Sequence, residues 1–181
     1  MITSPGSQRP VETIFLDRDG TINAKPATER YLTSPANLVL LPGAAQAVAV
    51  LKRVGLRVVL ATNQRWLSEP WGDPARYAAV HARLIRLLAV QGAWLDGAYL
   101  CPHALNTCNC RKPQPGMLQR AARELQFDLA KAIMIGDSEA DISAGRAAGT
   151  ATILLGAGKE GAARADAVAM DLAAAVRLVL R

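Results

Sequence analysis

Aromatic residues are scarce in this chain, at 4% of 181 residues, and none are interleaved with runs of basic ones. That argues against a nucleic-acid surface built on stacked bases, which needs aromatic platforms. Long apolar runs are also missing: none approaches the roughly 18 residues that a membrane-spanning helix requires. The opening segment, MITSPGSQRP, lacks the apolar stretch of a secretory signal. Residues 1–10 therefore read as a flexible tail, and a cytoplasmic protein with no membrane partner is the expectation. No repeat, low-complexity tract or long linker divides the remainder, so residues 11–181 are expected to form a single domain. Cysteine is sparse and odd in number, with Cys101, Cys108 and Cys110 in one short segment. That count argues against a disulfide framework and in favour of a metal site.

What is plentiful is aliphatic. Half the residues are hydrophobic, mostly Ala, Val and Leu, which suits helices packed on a sheet of buried strands. The formal net charge is +6, from 21 Lys and Arg against 15 Asp and Glu. The arginines (Arg53, Arg57, Arg76, Arg83, Arg86, Arg120, Arg123) are scattered as on solvated helix faces, so no nucleic-acid partner is expected.

Short apolar runs alternate with helical patterns. Strands are predicted at Glu12 to Leu16, Leu56 to Thr62, Gly97 to Cys101, Ala132 to Asp137 and Ala151 to Leu155. Helices are predicted after Pro42-Gly43, from Asp73-Pro74 to about Gln91, after Pro115-Gly116, from Glu139 to Ala148, and over the terminal DLAAAVRLVL. The class is α/β: a mainly parallel central sheet with helices on both faces. Such folds bind ligands beyond the carboxyl ends of their strands. Those ends carry Asp17, Thr62, Cys101 and Asp137, where simple turns would call for Gly, Asn or Pro.

Asp17 and Asp19 are two residues apart in an extended segment, so their carboxylates point the same way. Two like charges in one site need a cation between them or a shared proton. Magnesium suits such oxygen ligands, and Asp137 is placed to offer a third carboxylate. Taken alone, D-x-D-G-T reads first as a solvated turn with an Asx-type cap. A second cluster, Cys101-Pro102-His103 followed by Cys108-Asn109-Cys110, offers three thiolates and one imidazole, the Cys3His set of a closed structural zinc site. With four protein ligands no position stays open for a catalytic water.

FLDRDGTIN, ATNQ, CRKPQPGM and IGDSEAD occur in this order. In these segments the chain resembles the haloacid dehalogenase superfamily of phosphatases, from Ile14 to about Leu155. The resemblance implies a three-layer Rossmann-like sandwich and a magnesium-dependent phosphomonoester hydrolase. It implies Asp17 as the nucleophile that becomes an aspartyl phosphate, Asp19 as general acid and then base, and Thr62 and Lys112 as ligands of the phosphoryl oxygens. Magnesium would be held by Asp17, Asp137 and the backbone carbonyl of Asp19. Asp141 would support the metal, support Lys112, or act as an ordinary N-terminal helix charge.

The zinc loop followed by RKP-x-PGM is similar to the branch that holds histidinol-phosphate phosphatases and D,D-heptose 1,7-bisphosphate phosphatases. Members of that branch lack a separate cap domain, and the stretch from Thr62 to Lys112 is too short for one. PGM after RKP, Leu41–Gly43 and Tyr31-Leu32 favour the heptose group, and the short zinc loop favours the histidinol group. The implied substrate is a small phosphorylated metabolite, a sugar bisphosphate first, and the expected state is a monomer. Asn63, Gln64, Arg65 and Arg111 are the candidate substrate-binding residues, Arg111 through a planar fork suited to a second phosphate or carboxylate. Three readings compete: a histidinol-phosphate phosphatase, a nucleic-acid end phosphatase suggested by the charge, and a non-catalytic zinc-stabilised binding module. Two departures bear on specificity. Arg65-Trp66 replaces the Ser-Gly that follows TNQ in the heptose pattern, which removes backbone freedom and adds bulk and charge next to the implied phosphate site, and Ser138 stands where some members carry lysine.

Overall fold

The computed structural model describes residues 10–26, 29–156, 158 and 161–181. Apart from Pro10, the tail expected over residues 1–10 lies outside the described residues.

Strands β1 (Thr13–Leu16), β2 (Arg57–Asn63), β3 (Gly97–Cys101), β4 (Ala132–Gly136), β5 (Ala151–Leu155) and β6 (Ala167–Ala169) form one sheet in the order β3-β2-β1-β4-β5-β6. Every pairing is parallel. The helices are α1 (Ala44–Arg53), α2 (Pro74–Ala89), α3 (Gly116–Leu125), α4 (Glu139–Ala148) and α5 (Leu172–Val179). Among the described residues no helix is long and apolar enough to cross a membrane.

β1, β4 and β5 are buried along their whole length, as strands covered on both faces must be. Successive side chains feed two cores. Ile14, Leu16, Val58, Leu60, Ile133 and Ile135 meet Val48 and Leu51 of α1 and Val80, Leu84 and Leu88 of α2. Phe15, Val59, Ala61 and Met134 meet Met117, Leu118 and Ala121 of α3. The chain winds outward from β1 through β2 to β3, then returns to β4 and continues to β5. Right-handed crossovers therefore send α1 and α2 to one face and α3 and α4 to the other, and α3 packs beside α4. The result is the predicted three-layer sandwich, with its mainly parallel sheet parallel throughout.

The helix starts follow their sequence signals. Asp73 caps α2 by accepting from the Ala75 N–H at 2.8 Å, ahead of Pro74. Ser138 and Asp141 form a reciprocal capping box on α4. β6 was not among the predicted strands: three residues in an Ala-rich segment carry no readable period.

The strand order reverses at β1, so the crevice between the carboxyl ends of β1 and β4 is the topological switch point. Asp17 leaves β1 there, its N–H bonded to the Ile135 carbonyl at 3.1 Å, and Asp137 leaves β4 beside it.

Candidate active site

Asp17, Asp19, Lys25, Thr62, Asn63, Lys112, Asp137, Ser138 and Asp141 line a cavity of about 180 Å³ over that switch point. At its floor the Lys112 ammonium lies 2.7 Å from Asp17 Oδ1, 2.7 Å from the Ala61 carbonyl and 2.5 Å from Asp141 Oδ1. Lys112 is 3% exposed. A lone ammonium at that depth would lose its proton, but Asp141 and Asp17 outweigh the effect of burial and raise its pKa above the usual lysine range. Lys112 is thus a fixed positive charge.

Asp17 is strained electrostatically. Burial pushes its carboxyl up to about 7, with Asp141 and Asp19 adding to the rise and Lys112 opposing it. Asp19 is the opposite case. Burial raises it, but its hydrogen-bond partners together outweigh burial, led by Arg18, which donates from Nε to Oδ1 at 3.1 Å and from NH2 to Oδ2 at 2.9 Å. Asn23 adds a bond to Oδ1 at 2.9 Å and Gln64 one to Oδ2 at 3.1 Å. The net result holds Asp19 below the usual carboxylate range. Two aspartates in one turn are thereby driven apart, Asp17 towards its neutral form and Asp19 towards its ionised form.

Two glycines make room for the acidic cluster. A Cβ on Gly20, whose φ is +92°, would lie 2.5 Å from Asp137 Oδ2, and one on Gly136 would lie 2.3 Å from Asp141 Cγ. The cradle is therefore filled by carboxylates and closed to any larger residue at those positions. Oxygen atoms of Asp17, Asp137 and Asp141 fall within 4.8 Å of one another, a spacing and chemistry that fit a hard divalent cation. Asp141 is otherwise engaged: its Oδ2 accepts from the Ser138 N–H at 3.1 Å and from Ser138 Oγ at 2.6 Å, while Oδ1 faces Lys112. Of the three roles open to it, the geometry matches support of Lys112 together with the helix cap. Asp17 and Asp137 are the other two carboxylates of that cluster and the candidates to hold a cation.

Lys25 carries no motif signal, yet its Nζ lies 2.7 Å from Asp137 Oδ2 across 112 residues of chain, with the side chain 58% exposed. Sequence reasoning missed it because a lysine in a loop leaves no periodic or spacing trace.

Asn63, Gln64, Arg65 and Arg111 sit differently from one another. Asn63 lines the cavity and grips the Lys112 backbone, Nδ2 to the carbonyl at 2.9 Å and Oδ1 from the N–H at 3.1 Å. Gln64 is buried behind the cavity wall. Arg65 turns to Glu69 at 3.3 Å and lines a neighbouring cavity of about 510 Å³ with Arg30, Tyr31 and Trp71. Arg111 is half-buried, with one guanidinium nitrogen enclosed and no hydrogen-bond partner. Trp66, which the sequence suggests as added bulk beside the phosphate site, is instead fully buried.

The four zinc candidates converge. Cys101 Sγ is 3.6 Å from both His103 Nδ1 and Cys108 Sγ, and Cys110 Sγ is 3.2 Å from His103 Nδ1 and 3.4 Å from Cys108 Sγ. Bonds of about 2.0–2.3 Å to a tetrahedral zinc ion imply ligand edges of roughly 3.3–3.8 Å. The cluster fits, with His103 presenting Nδ1. Burial and the two neighbouring thiols push Cys110 up to about 12, a conflict that a cation among the sulfurs would relieve. The loop is tied to the cavity at both ends. The Cys101 carbonyl accepts from the Gln64 N–H at 2.8 Å, and Asn109 accepts from the Gly116 N–H at 3.0 Å. A Cβ on Gly116 would lie 2.4 Å from that Asn109 oxygen, so the chain turns tightly from the last zinc candidate past Lys112 into α3.

Comparison with known proteins agrees with this geometry. Residues 109–177 match a family described as HAD-hydrolase-like. The chain is 40% identical over 149 residues to a D-glycero-beta-D-manno-heptose-1,7-bisphosphate 7-phosphatase from Bordetella bronchiseptica, covering 82% of each chain. It is 38% identical over 176 residues to the protein of that name from Yersinia pestis, covering 90% of this chain and 92% of the relative. Among solved structures it superposes with a TM-score of 0.85 and 36% identity on the Bordetella bronchiseptica D,D-heptose 1,7-bisphosphate phosphatase complexed with magnesium and phosphate, covering 94% of this chain and 98% of that one. The chain belongs to the haloacid dehalogenase superfamily of phosphatases, in the branch of the heptose bisphosphate phosphatases.

Proposed function

We propose that this phosphatase removes the 7-phosphate of a D-glycero-D-manno-heptose 1,7-bisphosphate. The observation that carries the chemistry is the Lys112 ammonium, locked 2.7 Å from Asp17 Oδ1 by Ala61 and Asp141. It holds one nucleophilic oxygen and a positive charge at the same end of the crevice. The relatives described above supply the substrate class.

Asp17 attacks the phosphorus. The new Asp17 O–P bond forms as the ester P–O bond breaks, and the departing oxygen takes the proton of Asp19. Asp19 is held ionised in the free protein and takes up that proton from solvent as the doubly negative phosphoryl group approaches, because a neighbouring like charge raises its proton affinity. A water then attacks the aspartyl phosphate and gives its proton to Asp19, and the Asp17 O–P bond breaks to release phosphate. Thr62 donates to a phosphoryl oxygen, and Lys112 does so by turning one N–H from Asp17 Oδ1 to the phosphoryl group as Asp17 attacks. Asp17, Asp137 and the Asp19 carbonyl would hold magnesium, which would favour the ionised form of Asp17 against the burial that raises it and offset the repulsion between carboxylate and phosphate.

Arg111, with its unpartnered nitrogen, is proposed to take the second phosphate, and Arg65 to contact the sugar from the neighbouring cavity. Cys101, His103, Cys108 and Cys110 are proposed to hold a structural zinc that fixes Arg111 and Lys112. Residues 11–181 are read as one functional unit, acting as a monomer in the cytoplasm and in carbohydrate metabolism.

The test is magnesium-dependent phosphate release from both heptose 1,7-bisphosphate anomers, histidinol phosphate, common sugar phosphates and phosphorylated DNA ends in parallel. The heptose bisphosphate is expected to lead. A wide margin for histidinol phosphate would overturn the substrate assignment and leave the reaction class standing.

A further inference from the structure

Gln64 is buried at 2% exposure and makes four side-chain hydrogen bonds, two through each end of its amide. Oε1 accepts from Trp66 Nε1 at 2.8 Å and from Arg18 NH2 at 3.2 Å. Nε2 donates to Thr62 Oγ1 at 2.8 Å and to Asp19 Oδ2 at 3.1 Å. An indole N–H and a guanidinium can only donate, so the amide oxygen must face them. Turned the other way, the amide would set its NH2 against two donors and its oxygen against a carboxylate. Trp66 and Arg18 therefore fix the orientation of the group that touches Asp19 and Thr62.

That orientation has two consequences. One amide proton goes to Asp19, helping to hold its carboxylate at the cavity. The other goes to Thr62 Oγ, which then accepts inside the wall and keeps its own O–H for an oxygen in the cavity. Thr62 is 1% exposed, so no solvent proton substitutes.

Trp66 is itself immobilised. It is fully buried and stacks on Trp71 with ring centroids 6.0 Å apart and planes 7° from parallel. Its carbonyl accepts from the Glu69 N–H at 3.2 Å. Gly72 closes the turn: a Cβ there would lie 2.6 Å from the Leu67 carbonyl oxygen and 2.7 Å from that of Trp66. The indole is thus a fixed donor beside a buried amide.

We propose that Trp66 is a positioning residue for the phosphatase reaction, acting through Gln64 on Asp19 and Thr62. The proposal rests on the roles given above to those two residues. The Arg65-Trp66 pair that replaces a Ser-Gly pattern is then a support of the proton carrier, with the tryptophan turned inward and the arginine outward.

Trp66→Phe removes only the N–H and keeps the stacked ring. Two esters separate its routes of action. A sugar phosphate needs protonation of its leaving oxygen, whereas p-nitrophenyl phosphate has a leaving group that departs with little help. With the magnesium-loaded protein, Trp66→Phe is expected to lower kcat on the sugar phosphate about tenfold, the upper end for one lost hydrogen bond between neutral groups. KM should stay within about twofold, and kcat on the aryl ester should fall several-fold less. Gln64→Glu, equal in shape but unable to donate to Asp19 in its ionised form, should give the same pattern more strongly and is the decisive variant if Trp66→Phe does not fold. Unchanged kcat on both esters, or an equal loss on both, overturns the proposal. If the wild-type protein releases phosphate from neither ester, the proposed function falls and this inference with it.

Discussion

Asn63 and Lys112, 49 positions apart, hold each other through two hydrogen bonds, side-chain amide to backbone, at 2.9 and 3.1 Å. The pair joins the end of β2 to the chain leaving the cysteine-histidine loop. It sets where the Lys112 ammonium can reach, because a side chain 3% exposed has no room to search. Replacing Asn63 with Ala leaves both backbone groups of Lys112 unpaired. At about 1–3 kcal/mol per unsatisfied group, Asn63→Ala is expected to lower both melting temperature and kcat. Asn63→Asp, which restores only the acceptor, should lie between the variant and the wild type in a thermal melt read beside a phosphate-release assay.

Lys112→Met keeps the length of the side chain and deletes its charge. The loss of one fixed donor to the transition state is expected to cost about a hundredfold or more in kcat. Lys112 also opposes the rise of Asp17, so its removal moves the ionisation of Asp17 to higher pH. The acidic limb of the kcat/KM profile should shift upward in the variant. A parallel profile at lower amplitude would show that Lys112 does not act on Asp17.

The raised Asp17 has a thermodynamic signature in metal-free protein. Its folded pKa of about 7 exceeds its ordinary value of 3.8, so the folded state holds the proton that the unfolded state has lost. Asp17 therefore favours folding least at the top of that window, and its contribution falls as pH rises from about 4 to about 7. Asp17→Asn cannot ionise. It should match wild-type stability near pH 4 and exceed it at pH 8, on the order of a few kcal/mol by chemical denaturation. Equal stability of the two proteins at both values would place Asp17 in a solvated environment.

Much of this was legible in the residues, and the exceptions share a cause. β1 to β5 announce themselves because parallel strands buried on both faces read as short aliphatic runs, and Asp17 and Asp137 stand where those runs stop. The cysteine-histidine cluster is local, so spacing alone reveals it. Lys25 and the Gln64–Trp66 pair are different: their contacts depend on how separate segments fold together, or on which way a side chain turns. Trp66 reads as a bulky intrusion because no pattern distinguishes an inward tryptophan from an outward one in a short irregular turn. The three possible roles of Asp141 separate only once Lys112, 29 residues earlier, is seen 2.5 Å from it.

Gly136 tests the packing of that contact. A Cβ there falls 2.3 Å from Asp141 Cγ, so Gly136→Ala must displace the carboxylate that holds Lys112 and caps α4. The expected cost is roughly 1–3 kcal/mol of stability together with a large fall in kcat. Gly145→Ala is the control. Its Cβ would meet Thr152 and Met134 at 2.7 and 2.8 Å within the core, so stability should fall while the folded fraction keeps its turnover.

Stripping the thiol-bound metal should act on structure before chemistry. One zinc per chain is expected by elemental analysis, and its chelation should lower the melting temperature by roughly 5–10 °C, a loss of about 2–3 kcal/mol in a protein of this size. Cys110→Ser should bind the metal more weakly. Full stability and full activity in zinc-free protein would remove the loop from the account.

The central claim is that Asp17 carries the phosphoryl group. Protein quenched in acid during steady-state turnover, digested and weighed by mass spectrometry, reads this directly. The peptide bearing Asp17 should gain one phosphoryl group, and Asp17→Asn should bind substrate with neither that adduct nor phosphate release. Phosphate release by Asp17→Asn at a rate near the wild type would contradict it.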